Sequence, residues 1–131
     1  LQAQREKEAE AQRRQKAIVN EVRFQALKAP FFGIAFSDDT FQIRVLESVQ
    51  EYIKEGQALH HCVFTNEYHL KEKSLILSAS IDGKPIGTIE LSLETMKILQ
   101  CRSLMNQNTE YHERIIELVH QNIKQIQSRV A

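Results

Sequence analysis

Apolar residues recur at every second position in two stretches near the start of the chain. These are Phe32, Ile34 and Phe36, then Phe41, Ile43 and Val45, with Ser37-Asp38-Asp39-Thr40 between them. A period of two buries one face of a strand, so the pattern predicts a β-hairpin with Phe36 opposite Phe41 and Ile34 opposite Ile43. The same alternation returns in "SLILSASI", "PIGTIELSL" and "MKILQCRS". Turns at Gly83-Lys84-Pro85 and Glu94-Thr95-Met96 would place Leu77, Leu91 and Leu99 in one row and Ala79, Ile89 and Cys101 in the next. The opposite face would then carry Ser78, Glu90 and Gln100 in one row and Ser80, Thr88 and Arg102 in the other. One register serves all three strands, and a slip of one residue would carry Glu90 to the apolar side. Leu77, Leu91, Leu99 and Cys101 are therefore expected to be buried on one sheet face.

Three segments carry helical periodicity instead. The first thirty residues are strong helix formers with no Gly or Pro before Pro30. Ala supplies nearly all the apolar positions up to Ala17, so that half cannot bury much. From there Ile18, Val22 and Leu27, with Val19 and Phe24 beside them, form a face expected to dock. A second stripe runs through Leu46, Val49, Ile53, Gly56, His60 and Val63. A third runs through Tyr111, Ile115, Val119, Ile123, Ile126 and Val130, with Asn108 or Thr109 as cap. The whole reads as an α+β fold: N-terminal helix, β-hairpin, helix, three-stranded antiparallel meander and C-terminal helix, with the helices packed on one side of the sheet. The expected division is a helical arm or linker over 1–30, mostly solvent-exposed at its start, and a single α+β domain over 31–131.

Composition narrows the partners. The 131 residues hold 17 basic and 17 acidic side chains, but residues 1–28 have seven Lys/Arg against four Glu. A mildly basic arm thus precedes a mildly acidic body, and the balance as a whole exerts no strong pull on nucleic acid or anionic membrane. No apolar run is long enough to span a bilayer, and no signal peptide is visible. Two cysteines do not make a disulfide framework, so a reducing, cytoplasmic setting with unpaired thiols is expected. The chain starts at Leu1, as expected of a piece of a longer protein.

Candidate chemistry gathers at "EGQALHHCVF", residues 55–64. Structural zinc needs four ligands converging as a tetrahedron. Adjacent helical residues diverge by about 100°, so His60, His61, Cys62 and His69 chelate poorly and no metal or other cofactor is expected. A Cys62 nucleophile would sit near a helix C-terminus, whose partial negative charge opposes a thiolate. The same angular argument separates the histidines: His60 falls inside the apolar stripe and is expected to be buried, whereas His61 points away as the functional member. Thr88, Glu90, Gln100 and Arg102 form the polar sheet face. Two readings of that face remain open: a solvent-facing surface with a Glu90–Arg102 ion pair, or a functional site. Arg13, Arg14 and Lys16 on the first helix could touch phosphates, although Glu6, Glu8 and Glu10 dilute them.

Taken together, "EGQALHHCV", "TIEL" and "QCRSLMN" resemble the signature of the PcfJ-like proteins of conjugative plasmids, integrative elements and phages. The matching positions are Glu55, Gly56, Leu59, His61, Cys62, Val63 and Tyr68, then Thr88, Ile89 and Glu90, then Gln100, Arg102 and Asn106. Phe64 and Ser103 stand where that family usually has Gly, which bears on local turn geometry. The resemblance implies a PcfJ-like domain in the body of the chain and an accessory role of mobile elements associated with conjugative DNA transfer. It adds His61, Cys62, Tyr68 and Asn106 to Thr88, Glu90, Gln100 and Arg102 as candidate site residues. The expected role is an accessory or binding domain acting in a nucleoprotein or protein assembly, with nucleic acid or a conjugation-machinery protein as partner. Helix 1–28 offers a surface for partner or self association. The alternative is a small hydrolase or transferase using His61 with Glu90 and Arg102.

Overall fold

The computed structural model describes residues 2–59, 70–103 and 111–130, the side chain of Arg13 excepted. Helix α1 (Gln2–Lys28) leads through a short 3-10 turn into strands β1 (Ala35–Ser37) and β2 (Gln42–Val45). Helix α2 (Val49–Leu59), strands β3 (Ser74–Ile81), β4 (Lys84–Ser92) and β5 (Ile98–Arg102), and helices α3 (His112–Gln121) and α4 (Ile123–Gln127) follow. The class is α+β, as the periodicities predict. The hairpin and the meander are not separate units: they join as one antiparallel sheet in the order β1-β2-β3-β4-β5.

The faces of β1 to β4 come out as expected, but the rows do so only in part. Leu77 pairs with Ile89 and Leu75 with Leu91, two residues away from the expected Leu77–Leu91 register. The cause is the turn. Asp82 and Gly83, with φ of 50° and 82°, form a two-residue turn of the primed kind that Asp-Gly favours. That turn pairs Ile81 with Lys84, and carried on unchanged it would set apolar residues against polar ones. A bulge at Ala79/Ser80 adds one residue on β4 and restores like faces. A second bulge, at Glu90/Leu91, shifts the register between β4 and β5, where no mismatch of faces required it. Thr88–Arg102, Ile89–Cys101 and Glu90–Gln100 pair as expected, but Leu91 then meets Ile98. Leu99 is the surplus residue of that bulge and is 57% exposed, contrary to expectation. In the hairpin Phe36 pairs with Ile43, not Phe41, again a shift of two that keeps the face.

The odd-numbered face of β3 and β4 is the main core. Leu75, Leu77, Ala79, Ile89 and Leu91 pack with Ile34, Phe36, Ile43 and Val45 and, from the C-terminal helices, Ile115, Leu118, Val119 and Ile126. Half-buried Cys101 lies against this core. The helix breaks at Asn122, whose Nδ2 donates to the Leu118 carbonyl at 2.9 Å.

The expectation that the helices cover one side is corrected. A second cluster covers the even-numbered face: Phe24 of α1, Leu46 just after β2, Val49 and Tyr52 of α2, and Ile76 of β3. Phe24 meets Tyr52 edge to face at 5.3 Å. The docking face of α1 is also rotated from the expected one: Phe24 and Lys28 are fully buried, while Ile18, Val19 and Val22 are exposed. In α2 the buried positions are Val49, Tyr52, Glu55 and Leu59, with Ile53 and Gly56 at the margin. Both helices present a charged residue to the interior, which an apolar-stripe reading assigns to solvent.

The bulge reading sets two neighbouring leucines apart. Leu91→Ala should cost roughly 2–5 kcal/mol as a core truncation, whereas Leu99→Ala should stay within about 0.5 kcal/mol. Urea unfolding of the two variants checks this, and equal losses would contradict the bulge.

Candidate functional site

The polar face of the sheet lies beneath α2. Period-two alternation puts Ser74, Ser78, Thr88, Glu90 and Ser92 on it, and all five are buried. Buried polar groups require partners: two carboxylates supply them for Ser74, Ser78 and Thr88, and the Glu94 and Thr95 amides do so for Ser92. Glu55, on the sheet-facing side of α2, accepts from Ser78 Oγ at 2.8 Å and Thr88 Oγ1 at 2.5 Å, one bond on each oxygen. Glu90 accepts from Ser74 Oγ at 2.7 Å and from Gln100 Nε2 at 2.7 Å, again one bond on each oxygen. The rows beneath are Arg44–Ser78–Thr88–Arg102 and Ile76–Glu90–Gln100.

Electrostatics distinguish the members. Burial pushes the Glu55 carboxyl up to about 7, against the Thr88 and Ser78 hydroxyls and the Arg44 guanidinium, which favour its ionised form. Arg44 itself bonds Glu51 at 2.9 Å at the rim. Burial, and secondarily Glu113, raises the Cys101 thiol to about 11, so this free cysteine stays protonated at neutral pH. On the same side of the sheet Lys28 sends its ammonium to the carbonyls of Lys71, Glu72 and Ser74. Burial lowers it to about 8, with Glu72 acting in the opposite sense.

Of the expected site residues, the structure brings Thr88, Glu90 and Gln100 together on one buried face, with Arg102 at its exposed end. The suggested Glu90–Arg102 ion pair is not among the contacts of the described residues, and the face is not solvent-facing. His61, Cys62, Tyr68 and Asn106 lie outside the described residues, as do His60 and His69. The contrast between the two adjacent histidines and the zinc and nucleophile readings rest on these positions. Ser103, one of the two residues standing at a usual Gly position, is buried, and its hydroxyl has no partner among the described residues.

Glu55 is the residue that the candidate set lacks. Two signals pointed to it: its place in the Glu-Gly pair of the motif, and its spacing of three and four from Tyr52 and Leu59, which are buried. The motif positions are thus bonded to one another across the fold, Glu55 to Thr88 and Glu90 to Gln100.

The profile of the PcfJ-like protein family matches residues 1–116, and the chain belongs to that family. Neither the curated proteins nor the solved structures compared with it gave a match. Among the described residues no helix is long and apolar enough to cross a membrane.

Because Glu90 is held by Ser74 and Gln100 and not by Arg102, the two charges should behave unequally. Glu90→Ala strands both donors and should cost roughly 2–4 kcal/mol, while Arg102→Ala should change stability by no more than about 0.5 kcal/mol. Denaturant titrations at constant m-value test this, and matched losses would restore the ion pair.

Proposed function

We propose that this chain is an accessory, binding domain of a mobile-element protein, acting in a nucleoprotein assembly associated with conjugative DNA transfer. One observation carries the reading. Each oxygen of the two buried carboxylates on the motif face already accepts a bond from a neighbouring side chain, while the motif cation Arg102 is left exposed. A carboxylate so engaged is poorly placed to move protons for a hydrolase or transferase, since a general base needs reach to its substrate. An exposed guanidinium suits an anionic partner such as a phosphate backbone.

The arm supports the same reading. Arg5, Lys16 and Arg23 of α1 are exposed and fall within about 20° of one another around the helix axis. Arg14, by contrast, is bound to Glu10 at 2.6 Å. On this reading His61, Cys62, Tyr68 and Asn106 belong with Arg102 as contact residues.

Fluorescence anisotropy with labelled single- and double-stranded DNA across a salt series tests the proposal. Affinity should fall steeply with salt through counterion release. Arg102→Ala should flatten the log–log slope by about 1, and joint replacement of Arg5, Lys16 and Arg23 by Ala should flatten it further. Absence of salt-dependent binding by the wild-type chain would overturn the proposal.

A further inference from the structure

Glu55 is an acid buried against two strands, one helical turn before Leu59, at which the described part of α2 ends. Its two oxygens each accept a side-chain bond from the central pair, one from Ser78 of β3 and one from Thr88 of β4. We propose that Glu55 is a proton-controlled latch, which holds the C-terminal turn of α2 on the sheet when protonated and releases it when ionised. The inference concerns regulation of the same motif face and rests on the binding reading above only for its biological purpose.

The geometry makes the two states unequal. A protonated carboxyl still accepts on its carbonyl oxygen, its O–H donates to the second hydroxyl once that hydroxyl rotates to accept, and it carries no charge into the buried layer beside Tyr52 and Ile76. The ionised form has the same two hydroxyls but must remain desolvated. Among the described residues, the charged groups acting on it are Arg44 and Glu51. Arg44 of β2 favours ionisation, and Glu51 of α2 opposes it. Tyr52, on the same helix, has its own ionisation disfavoured by burial and then by Glu51 and Glu55. On β4 and β5, Glu90 is engaged with Ser74 and Gln100, and Arg102 is exposed beside Thr88. From α1, Lys28 is committed to the carbonyls before and at the start of β3.

The direction follows from linkage. Burial holds the carboxyl at about 7 when latched, against an ordinary value of 4.5. Protonation therefore stabilises the latched form fully below the lower value, and that stabilisation is lost as pH rises through the upper one.

Hydrogen exchange of the α2 amides, corrected for intrinsic rates and read by mass spectrometry from pH 5 to 9, tests the latch. Opening of the last turn of α2 should increase roughly tenfold between pH 6 and 8 and level off above that, while the Leu77 and Ile89 amides keep their protection. In Glu55→Gln the α2 profile should be flat. A flat wild-type profile overturns the proposal, whether or not the variant folds. So does a pH-dependent loss shared equally by α2 and the central strands, which would be global destabilisation. No ligand enters this measurement, so its failure leaves the DNA-binding test standing, and the reverse also holds.

Discussion

A sheet face that carries hydroxyls and a carboxylate can be buried only if something above it completes their hydrogen bonds, because an unpartnered buried polar group costs about 1–3 kcal/mol. In this protein that requirement organises everything on the α1/α2 side. Glu55 reaches down to Ser78 and Thr88, and Glu90 is closed by Ser74 and Gln100. Lys28 reaches the backbone at the start of β3. The opposite face needs no such arrangement, since Leu75, Leu77, Ile89 and Leu91 are themselves apolar and pack there in the main hydrophobic cluster. The sheet thus has two interiors, one held by exclusion of water and one by complementary polar groups.

This division explains what could be read from the residues beforehand. Alternation identified which side of each strand is apolar, and that assignment holds for β1 to β4. It identifies rows only in part, between β4 and β5, because a shift of two residues preserves the face while moving every partner. The turn at Asp82-Gly83 and the bulges after it decided the rows, and Leu99 lost its place in the core because it is the extra residue in one of them. The helices failed for a different reason. A stripe of apolar residues skips Glu55 and Lys28, the charged residues that face inward, so in both helices it lies at the wrong angle. Ile18, Val19 and Val22 are exposed as a result.

The candidate site was legible as a set of residue types and not as a surface. Thr88, Glu90 and Gln100 do converge, but their chemistry is directed at one another. Positions that looked like a row of reactive groups work largely as joints, which tie α2 and β5 to the central strands. That reassignment also gives the family signature a physical meaning. The residues at its Glu-Gly, Thr-Ile-Glu and Gln-x-Arg stretches are far apart in sequence and meet in pairs in space.

The joint at Lys28 also has a mechanical side. Helix α1 has 27 residues, about 40 Å of rigid rod, and its first half stands clear of the body. Its last residue is fastened to the carbonyls of Lys71, Glu72 and Ser74, beside a strand in the middle of the sheet. A partner gripping the free end therefore holds a long lever whose fulcrum lies in the interior, and its pull is delivered to β3 and not dissipated at the surface.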